Sequence, residues 1–213
     1  MRRLISVLLL AVLSIPFARA AEPYEVGRHY LELPFPQPVE TGAKIEVREF
    51  FWYGCSHCYA FEPALNRWLG KLPANAQFVR TPGTAPKWLT QAQAFYAFES
   101  LGVTEKLHGP LFRAIHDNKQ RLDDEASLAQ FVGGLGVDAN AFRQAFNSFG
   151  VRMRVEKARK MNEDFDVHSV PVIVVDGQYL TSPAMAGNGE AATKVVEFLI
   201  RKAAKGRKGA GKR

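Results

Sequence analysis

The chain has only two cysteines in 213 residues, a single apolar run long enough to weigh as a membrane span, and no acidic residue after position 200. Each scarcity excludes something. Two cysteines cannot build the disulfide framework of a small secreted domain. A chain of this length can bury a core without one. The apolar run, Leu4 to Phe17, is 14 residues long and interrupted by Ser6, Ser14 and Pro16, short of the roughly 20 that span a bilayer as a helix. With Arg2 and Arg3 before it and Ala18-Arg19-Ala20 after it, it reads as a signal peptide, residues 1–20, cleaved after Ala20. The mature protein is therefore expected to be exported and soluble.

The formal charge of +7 suggests nucleic-acid binding until it is located. Arg2, Arg3 and Arg19 leave with the signal, and seven more basic residues lie between Arg201 and Arg213. The body between them holds 18 basic against 21 acidic side chains. It is mildly acidic, which excludes a nucleic-acid partner read from charge alone. The last stretch, residues 205–213, has too little apolar surface to bury and is expected to be a disordered basic tail.

Dense β-formers predict strands at Lys44 to Trp52 and Gln77 to Thr81. Between them, Phe61, Leu65, Trp68 and Leu69 repeat at helical spacing, so Cys55 to Leu69 is predicted to be a helix. From Trp88 to Asp164 the pattern is helical throughout, with starts at Thr90, Thr104, Asp124 and Asp138 and stops near Gly102, Gly133-Gly134 and Gly150. Phe95, Tyr96 and Phe98 read as core of that block. Pro171 to Val175 follows as a buried strand, Asp176-Gly177 as a hairpin turn into Gln178 to Leu180, and Glu190 to Ala203 as a final helix. This order predicts an α/β protein whose central sheet is interrupted by an all-helical insertion.

Chemistry is concentrated in Cys55-Ser56-His57-Cys58. Residues three apart on a helix lie about 5–6 Å apart, within the roughly 4.4–6.8 Å Cα range of a disulfide. The pair can therefore open and close without moving the backbone. So short a loop gains little as a staple, because closing it removes little chain entropy. Cys55 falls where a helix begins, and the backbone N–H groups and macrodipole there favour a thiolate. Cys58, one turn in, is the resolving thiol, and His57 can support the Cys55 thiolate. A c-type haem site needs histidine directly after the second cysteine, where Tyr59 stands. A zinc site needs two further ligands, and His29, His57, His108, His116 and His168 are not spaced to supply them. No metal and no cofactor beyond the Cys55–Cys58 disulfide is expected.

Glu49-Phe50-Phe51-Trp52-Tyr53-Gly54-Cys55-Ser56-His57-Cys58-Tyr59-Ala60-Phe61-Glu62-Pro63, together with Val170-Pro171-Val172-Ile173-Val174-Val175-Asp176-Gly177, resembles the bacterial periplasmic DsbA family of the thioredoxin superfamily. The likeness extends over nearly all of the chain between the signal and the tail. It implies a thioredoxin-like domain formed by residues 21–81 and 165–204, with a helical insertion at 82–164. It also implies that Val170-Pro171 is a cis-proline loop against the active site, whose backbone can pair with an extended substrate. Glu49 would be the buried acid beneath the cysteines and Arg80 its basic partner. The implied activity is donation of the disulfide to reduced, newly exported polypeptides in the periplasm, with a DsbB-type membrane reoxidase restoring it, and a monomeric state. Ser56 departs from the family, which usually has proline there, and is expected to alter the reduction potential. The alternatives are an isomerase or reductase, and a peptide-binding chaperone without redox turnover. Isomerases of this superfamily carry an N-terminal dimerisation domain, for which the lead before Lys44 leaves no room.

Overall fold

The computed structural model describes residues 22–210, with side chains for 22–208. The expected signal peptide and the last three residues of the tail lie outside the described residues. In chain order the elements are β1 (Leu31–Glu32), β2 (Ile45–Phe51), α1 (Ser56–Leu69), β3 (Ala76–Pro82), α2 (Leu89–Ser100), α3 (Thr104–His116), α4 (Glu125–Gly134), α5 (Ala139–Phe146), α6 (Phe149–Asp164), β4 (Val172–Val175), β5 (Tyr179–Thr181), α7 (Pro183–Ala186) and α8 (Gly189–Ala210). A short 3-10 turn, Pro86–Trp88, leads into α2. No helix of the described residues is long and apolar enough to cross a membrane.

The five strands form one sheet in the order β1-β5-β4-β2-β3. β2 runs parallel to β3 and antiparallel to β4. Every residue of β2 is buried, as expected of a central strand covered on both faces. Ile45 and Val47 pack with Phe61, Leu65 and Trp68 of α1 and with Val195, Val196 and Leu199 of α8. On the other face, Phe50 packs with Val172, Val174 and Phe165. That second face also carries Glu46 and Arg48, both buried. Arg48 donates to Glu46 Oε1 at 2.8 Å, Thr81 Oγ1 at 2.6 Å and Glu40 Oε2 at 2.7 Å. A charge so enclosed is tolerated because its donors are matched by acceptors.

The helical block, α2 to α6, enters between β3 and β4. Its core of Phe95, Phe98, Leu107, Leu111, Phe112 and Phe142 is continuous with Phe51 and Tyr53 at the end of β2, so the block packs directly onto the strand end that precedes the cysteine motif. Asp124 and Asp138 accept from backbone N–H groups at the starts of α4 and α5, where aspartate caps were expected. Gly150 is not a stop. Ser148 accepts from Val151 N–H at 3.2 Å and starts α6 one residue later, so Gly150 lies in that helix's first turn, where the cap outweighs glycine's low propensity. Residues 205–210 of the expected disordered tail are also helical. Arg207 pairs with the buried Asp176 through Nε at 2.9 Å and through Nη2, and Nη1 donates to Gly42 O at 3.0 Å. One arginine supplies a partner that composition does not reveal, and α8 runs on to Ala210.

Asp176 and Gly177 both have positive φ, 56° and 64°, the geometry of a tight hairpin turn. A Cβ on Gly177 would lie 2.1 Å from Gln37 O, whereas one on Gly102, also at positive φ, meets nothing within 4 Å. Gly177→Ala is expected to cost about 2–4 kcal/mol and Gly102→Ala about 1 kcal/mol in urea unfolding. Equal costs would rule out the clash.

Candidate active site

Aromatic packing brings the chain from β2 into α1. Trp52 stacks on Trp88 with ring centroids 5.0 Å apart and planes 16° from parallel. A Cβ at position 54 would sit 2.2 Å from the Trp52 ring, so only glycine lets the backbone pass beneath it. Cys55 N–H then donates to Trp52 O at 3.0 Å. Cys55 adopts an extended conformation as the N-cap of α1, and its Sγ accepts from Cys58 N–H at 3.3 Å. Sulfur here does what a serine or aspartate oxygen does at an ordinary cap. In the thiol form Cys55 Sγ–H faces Val170 O, also at 3.3 Å.

Both cysteines are free thiols, Cys55 partly exposed and Cys58 fully buried. Ser56 and His57 are exposed on the first turn of α1. The Cys55 pKa falls from the ordinary 9.0 to about 6. The hydrogen bond from the Cys58 thiol does most to lower it, burial opposes, and the backbone N–H groups of Cys58 and His57 and the charge on His57 add to the lowering. Cys58 moves the other way. Burial pushes it up, and the bond it donates to Cys55, the Cys55 charge and the Glu49 charge push it further. One thiol is thus reachable and ionised near neutral pH, while its partner is enclosed and protonated.

Beneath the cysteines lies a buried polar chain. Glu49 and Arg80 are register partners on β2 and β3, which puts their side chains on one face. Arg80 Nε–H donates to Glu49 Oε2 at 3.0 Å, and Nη2–H to Glu62 Oε1 at 3.4 Å. Glu62 Oε1 also lies 3.4 Å from His108 Nε2, and His108 Nδ1 lies 2.9 Å from the Tyr53 hydroxyl. Asn66 Nδ2–H donates to Glu62 Oε2 at 3.1 Å. Glu49 is wholly buried, and its Oε1 has no hydrogen-bond partner among the described residues. Burial raises its pKa to about 8; Arg80 opposes this, and the charges of Glu62 and Cys55 reinforce it.

The structure therefore brings Cys55, Cys58, Glu49, Arg80, Val170 and Pro171 to one place, with Ser56 and His57 at its rim. The Val170–Pro171 bond is cis. Beside it a groove of about 490 Å³ is lined by His57, Phe61, Val170, Pro171, Pro183 and Gly189, among others. Two members of the buried chain, Glu62 and His108, were not singled out in the sequence. Glu62 lies four residues after Cys58 on the same helical face, and that spacing was the available signal. His108 stands between Leu107 and the pair Leu111 and Phe112, where it reads as an ordinary helical residue.

A family model described as a DSBA-like thioredoxin domain matches residues 71–193, covering most of the chain after the motif. The thiol:disulfide interchange protein DsbA of Pseudomonas aeruginosa is 41% identical over 204 residues, 95% of this chain and 97% of that one. Its namesake from Azotobacter vinelandii is 42% identical over 177 residues, 83% of each chain. The crystal structure of Pseudomonas aeruginosa DsbA superposes with a TM-score of 0.83 at 41% identity, covering 87% of this chain and 97% of that one. The oxidoreductase DsbA from Xylella fastidiosa gives 0.79 at 29% identity, with 85% and 98% covered.

Alkylation of the reduced protein by iodoacetamide is expected to modify Cys55 and spare Cys58, with a rate that inflects near pH 6. Because the folded Cys55 pKa lies below its unfolded value, thiolate stabilisation of the reduced form is absent below about 6, grows as pH rises, and is complete above 9.0. The unfolding free energy of the reduced form should therefore gain on that of the disulfide form across this window. An alkylation inflection near 9 would overturn the assignment.

Proposed function

Because the chain belongs to the DsbA family and is a thiol:disulfide oxidoreductase, we propose that it works in the oxidising direction, passing its Cys55–Cys58 disulfide to reduced polypeptides newly exported to the periplasm. The observation that carries this reading is the contrast between the two sulfurs. Cys55 is accessible and holds a thiolate easily, whereas Cys58 is buried and holds its proton. A reduced form stabilised in this way makes the disulfide a better oxidant.

A substrate thiolate attacks Cys55 Sγ, the Cys55–Cys58 bond breaks, and Cys58 leaves and takes up a proton. A second substrate thiolate then attacks the substrate sulfur of the mixed disulfide, and Cys55 leaves as a thiolate. The substrate has lost two electrons and the enzyme has gained them. Glu49, with a pKa near 8, is protonated at neutral pH and supplies the Cys58 proton, then accepts one when the disulfide is restored. Arg80 orients that carboxyl. His57 favours the Cys55 thiolate by its charge, and Ser56, exposed beside it, tunes the potential. The groove beside Val170 and Pro171 receives an extended stretch of the substrate, pairing with the Val170 backbone. Restoration of the disulfide falls to a membrane reoxidase of the DsbB type. No external cofactor takes part.

Equilibration of the Cys55/Cys58 pair in glutathione buffers is expected to give a potential well above thioredoxin's roughly −270 mV, and thiol trapping in cells should find the pair mostly oxidised. A value near thioredoxin's, or a pair trapped mostly reduced, would favour the reductase or isomerase reading instead. Cys55→Ser should abolish peptide oxidation and insulin reduction. Cys58→Ser, which cannot form the disulfide, should also lose peptide oxidation, and its Cys55 thiolate should be trapped as a mixed disulfide only with a substrate that already carries a disulfide.

A further inference from the structure

The buried chain beneath the cysteines contains more than Glu49 and Arg80, and its remaining members have no part in the exchange steps so far. Arg80 is the one guanidinium in it and stands between two carboxylates, 3.0 Å from Glu49 and 3.4 Å from Glu62. One positive charge offsets one negative charge at low dielectric, so the two acids compete for it. The other donors each acid holds decide the outcome. Glu62 has Asn66 on Oε2 and shares Oε1 between Arg80 and His108. Glu49 has Arg80 alone, and its Oε1 is unpartnered among the described residues.

With Glu62 ionised, as its lowered pKa implies, the His108 contacts select one tautomer. An ionised carboxylate only accepts, so the contact with Glu62 requires the ring proton on Nε2. Nδ1 is then an acceptor, and the Tyr53 O–H is placed to donate to it at 2.9 Å. Beside an ionised Glu62, the Nε2–H tautomer is the neutral form that satisfies both contacts.

We propose that His108 is a positioning residue for the exchange reaction: by donating from Nε2 to Glu62 it keeps Glu62 ionised and engaged with Arg80, which leaves Glu49 as the acid that holds the exchangeable proton. This rests on the reading of Glu49 as the proton exchanger. The groups acting on Glu49 are Arg80 from β3, Glu62 from α1, the two cysteines at the start of α1, and Tyr53 at the end of β2. Its β4 partner, Ile173, brings no charge. His108 faces Glu62, Arg80, Tyr53 and Glu105 and acts on Glu49 only through Glu62. The proton affinities follow the same order. Burial opposes ionisation of Glu62, but the His108 hydrogen bond and the Arg80 charge prevail and lower it, whereas Glu49 is raised. Burial also lowers His108 and keeps its ring neutral.

The test is a ¹³C-carboxyl titration of Glu49 in the disulfide form, where neither sulfur ionises, with Glu49→Gln to assign the resonance and a ¹⁵N spectrum of His108 at pH 7. The wild-type protein is expected to carry the His108 proton on Nε2. His108→Leu should lower the Glu49 midpoint by about one pH unit, and Glu62→Gln should lower it at least as far. The double variant should go no lower than Glu62→Gln alone, and His108→Gln, which keeps a donor, should restore the wild-type midpoint. Glu62→Gln and the wild-type ¹⁵N spectrum carry the test if His108→Leu fails to fold. A proton on Nδ1, or a Glu49 midpoint unmoved by either substitution, overturns the proposal. A different result sinks the reading beneath it: Glu49→Gln oxidising substrate peptide at the wild-type single-turnover rate would remove Glu49 from the reaction, whatever its titration.

Discussion

Arg80 is the charge on which the buried half of the site depends, because it is the guanidinium that meets two carboxylates enclosed between a central strand and the first helix. Removing an acid's partner in such a place leaves an uncompensated buried charge and costs about 3–5 kcal/mol. Placing a third charge there would be worse. The fold instead lets one acid, Glu62, gather neutral donors from Asn66 and His108 and stay ionised. The other, Glu49, is left with a single donor and a raised pKa. A carboxyl that changes protonation near neutral pH is thus made from two ordinary glutamates and an unequal supply of hydrogen bonds.

The upper half of the site uses the same economy with sulfur. Cys55 is both the cap of α1 and the group that ionises, so the backbone N–H groups that any helix start leaves unsatisfied become the stabilisers of its thiolate. The Trp52–Trp88 stack and Gly54 set where that cap falls. Ser56 and His57 are exposed beyond it and can be varied without disturbing the core beneath. In the proposed mechanism this separates the residues that tune the potential from those that hold the scaffold.

Much of this was legible in the sequence. The β2 and β4 segments are dense in β-formers, and the period of α1 shows in Phe61, Leu65 and Trp68. The two cysteines stand where a strand gives way to a helix. What stayed hidden depends on groups meeting from distant parts of the chain. Glu62 and His108 sit at helical positions whose apolar neighbours make them look incidental, and nothing local says that α3 brings one to the other. The start of α6 was missed because Gly150 read as a stop, while the cap that opens the helix is Ser148. The helical stretch at 205–210 escaped because Arg207 finds Asp176, which lies in a turn before α8 has begun. For Glu62 with His108 and for Arg207 with Asp176, a long-range contact outweighed local composition; for α6 a local cap did.

The place of β4 in the sheet has a consequence for how the protein acquires its reactivity. β4 lies between β5 and β2, yet the whole helical block separates β2 from β4 along the chain. A growing chain would present Cys55 and Cys58 early, before Val170 exists to pack beside them. In that interval the wall that Val170 adds beside Cys58 and the strand that pairs with Glu49 are still missing. The groups that lower Cys55 all lie at the start of α1, but Val170 packs against the cluster that buries Cys58, so the full contrast between the sulfurs is completed only when the last strands dock and the protein's own folding is nearly finished.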